Sequence, residues 1–322
     1  MRTVRGAYAA LAAGLLCASL AQAAQYPENP VHIIVPFSPS GGTDIQARVM
    51  ADAFTRSMHQ TFIVDNKPGA SGLIGAQAAA EAPADGYTIL FTTATLAINP
   101  TLYGKRWNVD PLQDLEPVSW ITSAPLVLIT HPSVPAKTVP ELVALAKKQP
   151  DLLNCAINTP GSTSHLAAEM LKQKAGLNVT LVPFKGGGPA VKSVVAGETD
   201  YLFATGPSAA NFVRNKQVRG LAVTTAKPST AFPGLPTMNT FYPGFEADNW
   251  YAMFVRKGTP PEVVAKINAE IQKAVATPRV KEFMAREGLD AVASSPGELL
   301  AQLKREMAKY GDVIRVAHIH LQ

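Results

Sequence analysis

Short apolar runs alternate with glycine-containing loops in the first third of the chain. Residues 31–35, 62–64 and 88–92 are rich in β-branched and aromatic side chains and have the length of strands. A loop of Gly, Ser and Pro follows each of the first two runs, and helical patterns come next, one starting at Asp44 and one running through Ala80. This order of strand, glycine loop and helix predicts a parallel sheet covered by helices.

The same order recurs in the middle of the chain. The pattern there predicts strands at residues 153–157, 179–184 and 200–203, a helix from His165 to Ala175 with Gly176 as its C-terminal cap, and a helix that ends near Gly197. We therefore expect an α/β protein with two lobes of similar build.

Two apolar extended stretches lie between the predicted lobes. Residues 126–129 and 250–255 are predicted to be paired crossover strands, which leave the first lobe and re-enter it. The first lobe is then discontinuous and comprises residues 26–122 plus 252–322, while residues 123–251 form the second lobe.

The C-terminal region is predicted to be helical from about residue 260 to residue 315. Thr138, Thr259 and Ser295 each stand three residues before a Glu, which is the spacing of a capping box at a helix start. One face of the C-terminal region is expected to pack on a lobe, because apolar side chains keep helical spacing at Val263, Val264, Ile267, Ile271 and Val275.

The first 23 residues have the pattern of a cleavable signal peptide. Arg2 and Arg5 precede an apolar run at residues 7–20, and residues 21–23 form a small-residue cleavage site. The run of about fourteen residues is shorter than the roughly 18 that span a bilayer, which favours export over the alternative of a membrane anchor. We therefore expect a periplasmic protein whose mature chain begins near Ala23.

Composition narrows the class of protein further. The 322 residues are 47% hydrophobic and 16% charged, and the mean hydropathy is +0.08, values that exclude a disordered chain and a polytopic membrane protein. Loss of Arg2 and Arg5 lowers the formal net charge of +5 by two, and no cluster of five Lys or Arg occurs, so nucleic acid is not an expected partner. Of two cysteines only Cys155 would remain, and we expect it to be a buried apolar residue.

The predicted chemistry lies in three loops, at residues 37–44, 66–75 and 158–164. If the strands are parallel, these loops gather at the carboxyl edges of the sheets, and each ends at a helix N-terminus with unpaired amides and partial positive charge. Glycines let a ligand approach the backbone, and hydroxyl groups add donors at Ser40, Thr43, Ser71, Ser162, Thr163 and Ser164. Such loops suit a carboxylate. For any single loop, an ordinary helix cap is the alternative.

The sequence contains no motif that would favour catalysis, nucleotide binding or metal binding over anion binding. The sequence lacks the spacing of a nucleophile elbow, a P-loop, a dinucleotide fingerprint and an HExxH zinc site. We therefore expect no cofactor, no metal ion and no catalytic residue. Asp44 is expected to cap its helix or to pair with Arg48. A hydrolase that uses Ser162 or Ser164 with His165 stays open as an alternative.

Several motifs occur in a fixed order along nearly all of the chain beyond the predicted signal peptide. They are VPF at 35–37, GGTD at 41–44, DNKPGASGLIG at 65–75, ADGYTIL at 84–90, NPTLY at 99–103, VPFKG at 182–186, GETD at 197–200 and PGLPT at 233–237. Together they resemble the Bug family, the periplasmic substrate-binding components of tripartite tricarboxylate transporters.

The resemblance implies a type II periplasmic-binding-protein fold, in which two lobes joined by two crossover strands close on a ligand. It implies a small organic carboxylate as ligand (a di- or tricarboxylate, an amino acid or an aromatic acid) and membrane permease subunits as partners of a monomer. The expected ligand-binding residues are Phe37, Ser38, Ser40, Gly41, Gly42, Thr43 and Asp44 in the first loop, Ser71 and Gly72 in the second, Asn158, Ser162, Thr163 and Ser164 in the third, and Phe184, Asp200 and Thr205 after strands of the second lobe.

The sequence departs from the family pattern inside the expected cleft. Ser40 stands where glycine is usual, and Ile157, Asn158 and Thr159 replace a stretch of small residues. The identity of the ligand is therefore not transferable from any relative. A ligand-sensing protein that serves a signalling partner is the second interpretation.

Overall fold

The computed structural model describes residues 26–39, 41–150 and 152–319. The predicted signal peptide at residues 1–23 lies outside the described residues. The α-helices are α1 (Gly42–Met58), α2 (Leu73–Ala80), α3 (Thr95–Tyr103), α4 (Val139–Lys148), α5 (Thr163–Ala175), α6 (Gly187–Val195), α7 (Gly206–Arg214), α8 (Pro261–Ala276), α9 (Pro278–Arg286) and α10 (Pro296–Val316). The strands are β1 (Val31–Val35), β2 (Phe62–Asn66), β3 (Thr88–Thr93), β4 (Leu115–Ala124), β5 (Leu126–Thr130), β6 (Asn154–Ile157), β7 (Thr180–Pro183), β8 (Tyr201–Thr205), β9 (Arg219–Val223), β10 (Asn249–Arg256) and β11 (Asp290–Ala291).

Six strands form the first sheet, in the order β11-β4-β10-β3-β1-β2. β1 is parallel to β2 and to β3, whereas β10 is antiparallel to β3 and to β4. Helices α1, α8 and α9 share one buried apolar cluster with this sheet, and α2, α3 and α10 share another. Because β1 and β2 are parallel neighbours, the loops that follow them begin side by side at one edge of the sheet.

Five strands form the second sheet, in the order β7-β6-β8-β5-β9. β6 is parallel to β7 and to β8, while β5 is antiparallel to β8 and to β9. The loops after β6, β7 and β8 therefore lie at one edge, and they lead into α5, α6 and α7 respectively.

The chain crosses from the first sheet to the second between β4 and β5 and returns between β9 and β10. The predicted pairing of residues 126–129 with residues 250–255 is wrong, because β5 pairs with β8 and β9 whereas β10 pairs with β3 and β4. Thr224 holds the two crossings together. Its hydroxyl oxygen accepts a hydrogen bond from the amide of Leu126 at 3.0 Å, and its carbonyl accepts one from the amide of Ala247 at 3.3 Å.

The exact lobe boundaries stay a prediction. Strand membership assigns β1–β4, β10 and β11 to the first sheet and β5–β9 to the second. The expected boundaries, at residues 122/123 and 251/252, fall inside β4 and β10, the two strands that lead to and from the crossings.

Two of the three expected helix caps are confirmed. The side chains of Thr138 and Ser295 each accept a hydrogen bond from the backbone amide three residues further on. The cap at Thr259 is wrong, because α8 has Pro260 at its N-cap position and the Thr259 hydroxyl donates instead to the carbonyl of Arg256 at 2.8 Å.

Burial agrees with the apolar pattern in the C-terminal region and at the cysteine. The five apolar positions expected on one face of α8 are all buried. Cys155 is a free, fully buried thiol, as expected. Among the described residues we find no helix with the length and hydropathy needed to span a membrane.

Candidate functional site

The first rim consists of the described residues of the loops that follow β1 and β2, at residues 36–39, 41 and 67–72. Asn66, the last residue of β2, joins the two loops. Its Nδ2 atom donates to the carbonyl of Phe37 at 3.1 Å and to Oδ1 of Asp44 at 3.0 Å. These bonds hold the first loop against the second and fix the start of α1 relative to both.

Helix α1 begins without a side-chain cap. Gly41 occupies the N-cap position in an extended conformation and offers no side-chain acceptor to the amides of the first turn, which starts with Gly42 and Thr43. Asp44 is 2% exposed, and its carboxylate pairs with Arg48 at 3.0 Å, as expected. The charge of Asp44 is therefore compensated, and the start of α1 keeps its positive electrostatic character.

The second loop of the first rim turns sharply. Residues 69–72 all have positive φ angles, and Gly72 is the N-cap of α2, again without a side-chain cap. Ser71 is exposed, its hydroxyl hydrogen-bonds to that of Tyr103, and its carbonyl accepts from Nδ2 of Asn99 at 2.8 Å. Asn99 and Tyr103 of α3 thus hold this loop in place by hydrogen bonds.

Tyr251 belongs to the first rim but was not predicted. It lies on β10, is 6% exposed, and its hydroxyl oxygen is 3.5 Å from the position that a Cβ on Gly42 would occupy. Burial raises the pKa of Tyr251 to about 12, so the hydroxyl keeps its proton at neutral pH. It adds a hydrogen-bonding group beside the first turn of α1. In the sequence Tyr251 is one aromatic residue in an apolar run, which gives no sign of this position.

The second rim consists of the loop after β6, at residues 158–162, and the starts of α5, α6 and α7. Ser162 caps α5, since its Oγ accepts from the amide of His165 at 3.3 Å and donates to the carbonyl of Thr159 at 2.7 Å. Thr163 and Ser164 follow in the first turn and are buried. At Ser162 the ordinary helix cap is therefore confirmed.

The hydrolase arrangement is not formed in this rim. Nδ1 of His165 accepts a hydrogen bond from the amide of Gly161 at 2.9 Å. The proton of Ser162 goes to the carbonyl of Thr159, and Oγ of Ser164 has no partner among the described residues. Neither serine pairs with the imidazole as a nucleophile pairs with its base.

Asn158 and Thr205 lie at the carboxyl ends of β6 and β8, on the same edge of the second sheet. The carbonyl of Asn158 accepts from the amide of Gly186 at 2.8 Å, which ties the loop after β6 to the start of α6. Thr205 Oγ1 hydrogen-bonds to Ser208 Oγ at 2.7 Å. Phe184 follows β7, is half-buried and packs against the apolar cluster of the second sheet.

Asp200 is not in the second rim, and its assignment to the loop after a strand is wrong. It directly precedes β8, and its Oδ2 atom accepts from the amide of Asn154 at the start of β6 at 2.7 Å. Because β6 and β8 are parallel, these residues lie at the edge opposite Asn158 and Thr205. The apolar run begins one residue later than the sequence pattern indicated.

The remaining predicted residues belong to the first rim or lie outside the described part of the chain. Phe37 is half-buried and Ser38 is exposed, whereas Ser40 lies outside the described residues. The described residues contain no group of three or more His, Cys, Asp and Glu side chains that could hold a metal ion.

A cavity of about 740 Å³ lies next to the crossings, and its lining includes none of the residues predicted to bind ligand. Ser123, Asp248 and Arg305 contribute to its wall. Burial raises the pKa of Asp248 to about 7, and one oxygen of its carboxylate accepts from the Ser123 hydroxyl at 3.0 Å.

Comparison with known proteins assigns the chain to a family. A family model described as the tripartite tricarboxylate transporter family receptor matches residues 46–319. The chain belongs to this family. It is 34% identical to Protein BugT of Bordetella pertussis over 297 residues, which cover 90% of each chain.

Solved structures of this family have the same fold. The Rhodopseudomonas palustris protein Rpa4515 with adipate superposes with a TM-score of 0.78 at 30% identity, covering 92% of this chain and 99% of the other. MatC of the same organism, with bound malate, gives a TM-score of 0.74 at 27% identity, covering 90% of this chain and all of the other.

These comparisons confirm three predictions from the sequence. The resemblance to the Bug family is confirmed, and so is the two-lobed fold of a type II periplasmic binding protein. The chain is a solute-binding protein and not an enzyme, because the family and its solved structures are binding proteins. Receptors of this family are periplasmic binding proteins that work with transporter components.

Proposed function

We propose that this chain captures a small organic carboxylate between the first rim and the second rim and delivers it to membrane permease subunits. The observation that carries the proposal is the pair of uncapped helix N-termini in the first rim. α1 and α2 have Gly41 and Gly72 at their N-caps, and no side chain caps them. Helix starts of this kind bind anions through backbone amides and the helix dipole, with no need for an arginine.

The structures of relatives support the same ligand class. Rpa4515 was solved with adipate and MatC with malate, both small carboxylates. This chain differs from the family pattern at Asn158, so we propose the class of ligand and not either of these compounds.

The two sheets offer a route to ligand-driven closure. Each rim belongs to a different sheet, and in the described part of the chain two crossings join the sheets. A ligand that contacts both rims favours the closed arrangement by its difference in affinity for the two states. In this proposal residues 1–23 are removed on export, and the lobes comprise residues 26–122 plus 252–322 and residues 123–251.

A thermal-shift panel tests the proposed ligand class. The chain from residue 24 onward is heated with millimolar mono-, di- and tricarboxylates, amino acids and aromatic acids. A ligand at 100 times its Kd stabilises a protein by about 2.7 kcal/mol, which corresponds to roughly 4 °C in Tm for a chain of this size. At least one carboxylate is expected to give such a shift. A panel without any shift would contradict the proposal.

Delivery to a permease is tested separately in cells. Deletion of the gene is expected to abolish uptake of the carboxylate that binds best in the panel, and the intact gene is expected to restore it. Uptake that continues unchanged after deletion would contradict delivery while leaving carboxylate binding intact.

A further inference from the structure

Asn158 is held firmly at the second rim through its backbone. It directly follows β6, its carbonyl accepts from the amide of Gly186 at 2.8 Å, and the carbonyl of the preceding Ile157 accepts from the amide of Phe184 at 2.9 Å. Its position at the carboxyl end of β6 is thus fixed by the neighbouring segment after β7. Asn158 is 8% exposed, so the protein shields its side chain from bulk water.

The side-chain amide of Asn158 has hydrogen-bonding capacity that the described residues do not use. Its Oδ1 atom is buried and has no hydrogen-bond partner among them. Its Nδ2 atom lies 3.5 Å from the position that a Cβ on Gly187 would occupy, so the missing side chain of Gly187 keeps space beside the amide. A buried acceptor without a partner costs free energy, and a ligand group that donates to Oδ1 removes that cost.

Three hydroxyl groups of the second rim, those of Ser162, Thr205 and Ser208, already donate their protons within the protein. Ser208 lies beside the same glycine, with Oγ 3.3 Å from the position of the absent Gly187 Cβ. Ser208 donates to the carbonyl of Thr205 at 2.9 Å, so the 2.7 Å bond between their hydroxyls takes the proton of Thr205. Ser162 donates to the carbonyl of Thr159. Compared with these three side chains, Asn158 is the one that retains both an acceptor and a donor for a ligand.

We propose that Asn158 sets the selectivity of the site by pairing with an uncharged polar group, a hydroxyl or a carboxamide, at the end of the ligand opposite its carboxylate. This inference rests on the proposed function. A hydroxyl or carboxamide both donates and accepts, so it satisfies both sides of the Asn158 amide. A second carboxylate only accepts and leaves Oδ1 unpaired, and a methyl group satisfies neither atom. Sites built to hydrogen-bond a ligand group discriminate strongly against analogues that lack it.

Two matched ligand series test this inference by calorimetry. The first series is 4-hydroxybutanoate, succinamate, succinate and butanoate; the second is 4-hydroxybenzoate, 4-carbamoylbenzoate, terephthalate and 4-methylbenzoate. In the series that fits the cleft, the hydroxyl and carboxamide members are expected to bind about 10-fold more tightly than the dicarboxylate and methyl members.

Variants of Asn158 separate selectivity from folding. Asn158→Ala is expected to remove the 10-fold preference, to change binding of the methyl member by less than about threefold and not to lower the ligand-free Tm, because it deletes an unpaired amide. Asn158→Asp keeps the size of the side chain and is expected to weaken the dicarboxylate most, through charge repulsion. Asn211→Ala, at an exposed asparagine on α7, is the control and should change nothing.

The outcomes distinguish this inference from the function on which it rests. If neither series nor the carboxylate panel contains a ligand, the proposed function fails and the inference fails with it. If the dicarboxylate binds most tightly, or if Asn158→Ala weakens all members of a series equally, the inference is overturned while carboxylate binding stands.

Discussion

The first rim and the second rim are built from different chemical groups. The first rim presents glycine-capped helix starts, and the side chains that stabilise it, such as Asn66 and Asn99, donate to its backbone and acidic groups. The second rim presents more side chains. The hydroxyls of Ser162, Thr205 and Ser208 bond to one another or to carbonyls. Oγ of Ser164 and Oδ1 of Asn158 have no hydrogen-bond partner among the described residues.

This difference divides the work of recognition between the two rims. Backbone amides bind the carboxylate that every ligand of the class shares, and they do not discriminate between ligands that differ elsewhere. A side chain with one donor and one acceptor group recognises, by hydrogen bonding, the group that differs between ligands. Changes in the first rim should therefore weaken all carboxylates alike, whereas changes at Asn158 should alter their ranking.

The largest expected effect comes from filling the start of α1. Gly41 has extended backbone angles, φ −80° and ψ 165°, that any residue adopts, so Gly41→Val adds an isopropyl group without backbone strain. We expect affinity for every carboxylate to fall by about 100-fold, because the side chain covers the first-turn amides. Calorimetry measures this loss, and the ligand-free Tm is expected to stay within about 2 °C of the wild type.

A matched control lies at the start of another helix. Gly297→Val places the same side chain in the first turn of α10, where no atom lies within 4 Å of the added Cβ. Affinity should be unchanged in this variant. If Gly41→Val binds carboxylates as tightly as Gly297→Val does, the first rim is not the anion site.

A smaller effect is expected when the support of the first rim is removed. Asn66→Ala deletes the hydrogen bonds to Phe37 and Asp44, each of which contributes about 1 kcal/mol. Affinity should fall by about 10-fold for all carboxylates without a change in their order, since the amides remain but are less well positioned. Titration of three ligands of different shape checks this.

Asn239→Ala is the control for this variant. It removes an amide that stabilises a different loop, by accepting from the amide of Gly244 at 2.8 Å. A change in ligand ranking in Asn66→Ala, or an equal loss of affinity in Asn239→Ala, would contradict the proposed role of the first rim.

The smallest effect concerns stability at the crossings rather than binding. Burial raises the pKa of Asp248 to about 7, an effect that Glu246 and Glu306 reinforce and Ser123 and Lys309 oppose. The folded state therefore holds a proton that the unfolded state releases near pH 4. The stabilisation from this proton is complete at low pH and is lost as pH rises from about 4 to about 7.

Asp248→Asn should remove this pH dependence. Relative to the wild type, its Tm is expected to rise by a few degrees between pH 5 and pH 8, as melting curves in both buffers would show. Asp312→Asn, at an exposed carboxylate on α10, should not change with pH in this way. An offset between Asp248→Asn and the wild type that is the same at both pH values would contradict the assignment.

Local sequence patterns predicted the strands and loops of the parallel parts of both sheets. β1 and β2 are short β-branched runs that end at glycine loops, and helix starts were placed within two residues at α1 and α5. The C-terminal cap at Gly176 is confirmed by its left-handed conformation. These features depend on neighbours in the chain, so the sequence displays them directly.

β4 was missed because its polar residues are buried by distant partners. Ser119 donates to the carbonyl of Ser294, Ser123 donates to Asp248, and Thr122 accepts from Gln46. The sequence does not show these long-range bonds, so the segment was not predicted as a strand. With β4 missing from the prediction, residues 250–255 were paired with residues 126–129, whereas β10 pairs with β3 and β4.

The same limit applies to the functional site. The three loops were predicted because glycine and hydroxyl residues precede helices there, a pattern local to the chain. Tyr251 was missed as part of the site, and Asn66 lay in a predicted loop without its bonds to the first loop being predicted, since each acts on a segment remote in sequence. Asp200 was misplaced because the family resemblance put it after a strand, whereas it precedes β8 and its side chain accepts from the amide of Asn154 at the start of β6.

A crystal structure with the best-binding carboxylate of the panel would show where the ligand's charge is held. We expect a carboxylate oxygen within about 3 Å of a first-turn amide of α1 or α2, with the other end of the ligand directed toward Asn158. A carboxylate bound instead in the cavity at the crossings, beside Arg305, would contradict it.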